Sequence, residues 1–270
     1  MALCKDQVTK ELNERGYNLV KLPRVGIEPM DVLGRDGESL EKLGSIAEVW
    51  TSSVAPPSAS PAVPAAGISG SKSSDVDIAI GLKLLSNALA GLGAGISLPS
   101  LTTAFKHAHK VQFTFENVES TSITPFALGK FLAQGTLDMS NPFVSKYFGN
   151  DETQEYIIFD VLKSDSLSVT AKSDTGASVD TDVGFLNGAM SANLKAQVGA
   201  SEGSEITFKG PVKVTFAFKL YEVVYANGKW IPQGAAADDD LSFLVDDEEG
   251  ASPAPRGVII NASRLLNLKM

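Results

Sequence analysis

Few stretches of this chain carry residues whose type and spacing could do chemistry. Gly199-Ala200-Ser201-Glu202-Gly203 has the spacing of a hydrolase nucleophile elbow, which holds its serine on a turn between a strand and a helix. The next segment, Ile206 to Lys209, reads as a strand, and both histidines of the chain lie upstream, so a hairpin loop is expected instead. Those histidines, His107 and His109, stand two apart, as ligands of some metal sites do on a strand. No third ligand is marked, and the pair is expected to share a strand face with Phe105 and Phe113, so neither a metal site nor a catalytic residue is expected. Gly91-Leu92-Gly93-Ala94-Gly95 lacks both the dinucleotide fingerprint and the lysine and serine of a phosphate loop. The single cysteine, Cys4, excludes an internal disulfide and any multi-cysteine metal site. Three readings are open for it: a small buried hydrophobe, an exposed thiol without a role, or an acylation site beside an amphipathic helix.

The elements that would position these residues are mostly strands. Met190, Ala192, Leu194, Ala196 and Val198 alternate with Ser191, Asn193, Lys195 and Gln197, the period of an extended segment with one apolar face. Asp75 to Leu85, with Val76, Ile78, Ile80 and Leu82, repeats the device, as do Thr102 to Val118, with Val111 and Phe113, and Tyr156 to Thr170. Val212 to Tyr225 is a further strand, returning through Ala226-Asn227-Gly228, a hairpin signal. Tyr17 to Leu22 and Ile46 to Thr51 read as shorter strands, and Asp6 to Arg15, Pro125 to Gln134 and Asn141 to Tyr147 as helical. Residues 52–74 are Ser, Ala, Pro and Gly with little else, a surface excursion expected to lack order in places.

At 270 residues and 43% hydrophobic composition the chain can bury a full core. Its net charge of −9 argues against nucleic acid as a partner, which would call for a basic face. Lys5, Asp6 and Gln7 directly after Cys4 fit no secretory or lipoprotein signal, so a cytoplasmic protein is expected. Ile78 to Leu98 is apolar, but Lys83, Ser86, Asn87 and its glycines argue against a membrane helix.

From Gly234 the texture changes. Residues 238–249 hold seven carboxylates and no base, and residues 250–270 carry Arg256, Arg264 and Lys269 and no acid. The order is body, acidic leash, proline-containing loop and apolar tail. A tail offering Val258, Ile259, Ile260, Leu265, Leu266, Leu268 and Met270 could contribute on the order of 10 kcal/mol of apolar burial before ordering costs. Tethered, it rebinds at roughly millimolar effective concentration, and a cut in the loop removes that advantage. The alternative is an ordinary closing strand.

Met1-Ala2-Leu3-Cys4, the segment Gly16-Tyr17-Asn18-Leu19-Val20-Lys21-Leu22-Pro23-Arg24, the long strands and the short detachable tail together resemble a bacterial gasdermin over essentially the whole chain. The resemblance implies an α+β fold: a twisted antiparallel β-sheet with peripheral helices and a short C-terminal autoinhibitory peptide. It implies a pore-forming body, residues 1–243; an exposed acidic and proline-containing loop, 244–256, for cleavage; and an inhibitory peptide, 257–270. A caspase-like or related protease would cut near Leu244, Val245 or Arg256. The freed body, a monomer while inactive and cytoplasmic, would become a homo-oligomer in the cell membrane and kill the infected cell as antiphage defence. Membrane lipids would be its partners, with no nucleic acid. No cofactor is implied beyond a covalent acyl chain, palmitate, on Cys4. Two hairpins would form the wall: Asp75 to Leu85 with Thr102 to Val118, and Tyr156 to Thr170 with Met190 to Val198. Rival readings are a soluble β-rich binding or scaffold protein and, further off, a metal enzyme using His107 and His109.

Overall fold

The computed structural model describes residues 12–36, 39–70, 72–73, 75–92, 96–148, 154–189, 197–200, 205–226, 229–233, 260 and 268–269. Its spine is a pair of antiparallel strands of unusual length, β10 (Gln154–Lys172) and β12 (Glu205–Ala226). They pair from Glu155↔Val223 to Thr170↔Glu205, with three irregularities between Ile158 and Ser166. Such bulges bend a strand and sharpen its twist, which lets one ribbon serve two differently covered halves.

The near half lies between β1 (Asn18–Arg24), β2 (Asp31–Asp36) and β3 (Ser39–Ser45), in the order β1-β12-β10-β2-β3. The end of β12 is also joined by its hairpin return, β13 (Lys229–Gln233), through pairs such as Tyr225↔Trp230. Side-chain alternation divides the residues of this half between two faces. Val32, Ile157, Tyr221 and Val223 pack with Leu128, Phe131, Leu132 and Val144 of α3 (Pro125–Ala133) and α4 (Pro142–Phe148). The neighbouring residues Leu33, Tyr156, Ile158 and Leu220 pack the other way, with Val20, Leu40 and Phe218. The helices begin where the sequence predicts, because Thr124 caps Ala127 N–H and Asn141 Oδ1 accepts from Phe143 N–H, each just before a proline. A two-stranded sheet, β4 (Trp50–Ser52) with β9 (Gly135–Leu137), ties this lobe together, and Trp50 Nε1 donates to Phe131 O at 3.1 Å.

The far half of the spine is joined by β6 (Val76–Asp77), β7 (Lys110–Glu116) and β11 (Gln197–Ala200), in the order β6-β7-β10-β12-β11. β8 (Glu119–Ser122) also pairs with β10. Residues 52–70 run as a strap along β8 and β7. Ser60, Ala65 and Gly70 N–H donate to Ser122, Val118 and Phe115 O, and β5 (Val63–Pro64) pairs with β8. The low complexity of this strap hides its order, because backbone groups, two serine hydroxyls (Ser60 accepting from Ser122 N–H and Ser69 from Val118 N–H) and the single buried Ile68 hold it rather than a periodic apolar face.

The architecture is the α+β fold expected, yet several segments that read as strands are not. Asp75 to Leu85 is a strand for two residues only; α1 (Ile78–Gly91) takes over. Thr102 to Val118 begins in α2 (Leu98–Ala104) and becomes β7 at Lys110. Ile46 to Thr51 opens with a 3-10 turn at Ile46–Glu48, closed by a Ser45/Glu48 capping box. Within the turn-rich piece 174–188 lies α5 (Val183–Ala189). Of the strand expected over Met190 to Val198, Met190 to Ala196 lie outside the described residues, as do residues 6–11 of the first predicted helix. Phe218→Ala, in a fully buried site between β1 and β10, is expected to cost about 3–5 kcal/mol, read from the denaturation midpoint.

Candidate functional site

The functional geometry lies in what covers the spine. Over its far half the strands are two-faced. Phe115, Leu167 and Phe208 stand side by side on one face, and Phe113, Val169 and Ile206 form the next row. On the reverse face Ser168 Oγ donates to Glu116 Oε1 at 2.8 Å and lies 2.7 Å from Thr207 Oγ1. α1, α2 and α5 bury the apolar face with Leu82, Leu85, Leu89, Leu101, Ala104 and Leu186.

α1 forms because Asp77 caps it, accepting from Ala79 N–H at 3.0 Å, and because Ile78, Leu82, Leu85 and Leu89 recur at helical spacing. The same segment alternates Val76, Ile78, Ile80, Leu82 and Leu84 at strand spacing, so both periods are written in it. Glycine lets it lie close: a Cβ on Gly81 would collide with Val111 Cγ2, and one on Gly91 with the carbonyl of Pro23.

Over the near half, residues 260 and 268 of the tail join the cover. Besides β1, β2, β3, β10 and β12, the apolar cluster draws on Ile27 of the β1–β2 turn and on Leu268 and Ile260. Leu268, 3% exposed, belongs to β14 (Leu268–Lys269), which adds to the outer edge of β3 in parallel, Leu268↔Leu40 and Lys269↔Glu41. At the opposite margin, Ile260 N–H donates to Asn18 Oδ1 on β1 at 2.9 Å. The tail thus touches the sheet at both sides of a five-strand span. β1 is fixed where it begins, because Tyr17 OH and Ser120 Oγ each donate to Asp160 at 2.8 Å. Burial, then the Asp160 carboxylate, push the Tyr17 hydroxyl well above its ordinary range and keep it a donor. The β2–β3 hairpin that receives the tail is pinned by Asp31, which pairs with Lys42 Nζ at 2.7 Å and accepts from Glu28 N–H.

Of the residues singled out in the sequence, Cys4, Leu244, Val245, Arg256, Val258, Ile259, Leu265, Leu266, Met190 and Leu194 lie outside the described residues. Val76 pairs with Val111 in β6 and β7, and Val198 with Phe208. Ile78, Ile80 and Leu82 are on α1, not on a strand. In this structure Tyr156–Thr170 and Gln197–Ala200 are not paired with each other: β11 pairs with β12, and β10 lies on the far side of β12. His107 and His109 do not share a strand face, since the chain turns there. Both are exposed, while Phe105 is buried and His109 Nδ1 stands 3.2 Å from Asp174 Oδ1. Gly199 lies within β11, paired with Thr207, and the next described element is the strand β12 rather than the helix an elbow needs. Among the described residues no helix is long and apolar enough to cross a membrane.

A sheet whose strands outrun their partners, roofed by short helices, has known relatives. The Bacterial Gasdermin Family profile matches residues 20–240. The chain belongs to the bacterial gasdermin family. This gasdermin is 34% identical over 274 residues to the gasdermin of Vitiosangium sp., covering 100% of this chain and 99% of that one. It is 28% identical to the gasdermin of a Desulfuromonadales bacterium, over 84% of this chain and 85% of the other. In three dimensions it resembles a bacterial gasdermin from Bradyrhizobium tropiciagri with a TM-score of 0.62, at 17% identity, covering 84% and 90% of the two chains. Gasdermins are pore-forming effectors that act on membranes rather than typical enzymes.

Sequence reasoning passed over Gly81, Gly91 and the receptor role of Asn18. The helical stripe through Leu82, Leu85 and Leu89 was the available signal for the roof; nothing in the sequence singles out Asn18 as the tail's acceptor. In this gasdermin Gly81→Val should wedge α1 away from β7 and lower stability by about 1–3 kcal/mol. Thermal unfolding, together with proteolysis between residues 78 and 109, would register it.

Proposed function

We propose that this gasdermin is an autoinhibited pore former. The segment 257–270 holds the body silent; a protease cut within 244–256 lets residues 1–243 oligomerise into a pore in the cell membrane, killing the cell as antiphage defence. Before the cut it is a cytoplasmic monomer, and a caspase-like or related protease makes the cut. An acyl chain, palmitate, on Cys4 assists insertion, because one such chain gives only marginal membrane affinity.

The observation that carries this reading is the register at the spine's far end. β6 and β7 pair Val76↔Val111 and Asp77↔Lys110. Continued without a slip, that ladder reaches residues 92 and 95 and closes on Gly93-Ala94. All four charged side chains of residues 76–111, Asp77, Lys83, Lys106 and Lys110, then fall on one face, opposite Ile78, Ile80, Leu82 and Phe105. β10 and β12 hold a constant register from Ser166↔Lys209 to Thr170↔Glu205. Continued likewise, it meets at Asn187-Gly188, the residue pair a two-residue hairpin turn favours. Lys172, Asp174, Asp180, Asp182, Lys195 and Glu205 share the polar face, and Val179, Val183, Phe185, Met190, Leu194 and Val198 the apolar one; among the charged residues of this hairpin Glu202 alone falls on the apolar face, while Leu186 here and Leu85 and Leu89 in the first hairpin fall on the polar one.

The roof helices α1, α2 and α5 would become extensions of β6, β7 and β10, and β11 would merge into an extended β12. Each new strand exceeds the roughly 9–11 residues that cross a bilayer, and a closed ring leaves no backbone edge in lipid.

A full-length chain carrying an introduced protease site within 244–256 should leak dye from liposomes on cutting and stay silent before it; sealed vesicles after complete cutting would refute the reading. Leu268→Asp should produce leak without any cut, because it places a charge in the cluster beneath β14. Cys4→Ala should slow killing while leaving the unfolding midpoint unchanged, and full toxicity in that variant would remove the acyl chain from the scheme.

A further inference from the structure

The two most exposed large apolar side chains among the described residues are Phe126, 92% exposed, and Phe143, 74% exposed. They stand in corresponding places on the two helices of one lobe. α3 buries Leu128, Phe131 and Leu132 and turns Phe126, Gly129, Lys130 and Ala133 outward, the i, i+3, i+4, i+7 positions of a single stripe. α4 buries Val144 and Tyr147 and turns Phe143 and Lys146 outward together, three residues apart. Met139, in the turn between β9 and α4, is exposed beside them in sequence. The outward side of a surface helix is ordinarily polar; here each outward side carries a phenyl ring followed within about one turn by a lysine.

We infer that α3 and α4 form a docking surface for an anionic lipid bilayer, used by the body before its strands insert. The inference rests on the pore-forming reading only in taking a bilayer as the counterpart. A phenyl ring has no polar handle and gains by entering the acyl boundary, while a lysine one turn away keeps its ammonium at the level of lipid phosphates. The pairing of exposed phenyl rings with exposed lysines marks this surface. With a net charge of −9 the molecule as a whole is repelled by an anionic surface, so close approach requires a local exception. Lys130 and Lys146 are exposed and supply one. The acid between them, Asp138, already accepts from the backbone N–H and the hydroxyl of Ser140. The lobe is also suited to bear load, since β4 and β9 and the Trp50 indole bind it to the sheet.

The test uses the full-length chain with a protease site introduced within 244–256, and vesicles of phosphatidylglycerol and phosphatidylethanolamine. In the doubly substituted Phe126→Ser, Phe143→Ser chain, co-sedimentation of cut protein with these vesicles should fall at least about tenfold. Its unfolding midpoint and its rate of cutting should match wild type. Lys130→Glu with Lys146→Glu should weaken sedimentation on these vesicles and leave that on neutral phosphatidylcholine unchanged. Undiminished sedimentation of the serine variant overturns the inference. So does an equal loss of assembly in detergent, which assigns the surface to contact between copies, and so does a changed cutting rate, which assigns it to the protease or to the acidic segment 238–249. Sedimentation reads docking whether or not the vesicles leak, so failure here and failure of the pore reading are told apart.

Discussion

Everything in this molecule depends on a pair of antiparallel strands too long to be covered by one partner. β10 and β12 present apolar side chains along their whole shared length, and buried apolar surface is the main force holding any such fold together. Each stretch of that surface has its own lid: the α3–α4 lobe and the tail on the two sides of the near half, and α1, α2 and α5 on one side of the far half. The reverse of the far half is left polar, with serine and threonine satisfied by one another and by Glu116. The apolar faces of the sheet are thus kept from water by separate covers rather than by one partner layer.

Much of this is legible in the sequence where the local signal is single-valued. The capped starts of α3 and α4, the central strands and the β12 return are read correctly because proline, caps and alternation all agree there. The misreadings fall where the signal is double. Between Val76 and Leu89 the apolar residues satisfy periods of two and of 3.6 together, and the Asp77 cap with packing onto Val111 decides for helix. Thr102 and Thr103 favour strands in isolation, yet each hydroxyl bonds back to a carbonyl of the preceding turn, at Leu98 and Pro99. A segment able to satisfy two periodicities is what a protein that must change its covering would need, so the ambiguity has a physical source.

Pairing partners are less accessible than element types. Nothing in Gln197–Ala200 indicates that it joins β12 rather than β10; the hairpin into β12 decides it. Likewise Asn18 reads as one polar residue in an alternating strand, and its part in receiving the tail requires knowing that residue 260 returns 242 positions later. Separations of that kind leave no trace in a local pattern.

The tail's attachment has a temporal consequence. Ile260 and Leu268 meet the sheet at β1 and at β3 without any covalent link of their own to it, so in the proposed scheme a cut upstream would leave the peptide seated. Its departure is a separate dissociation, whose lifetime depends on those few side chains and on how many severed peptides remain nearby to rebind. On the function proposed above, scission and membrane damage would therefore be divided by an interval, and residues 257–270 would act as a fuse whose length is set by packing.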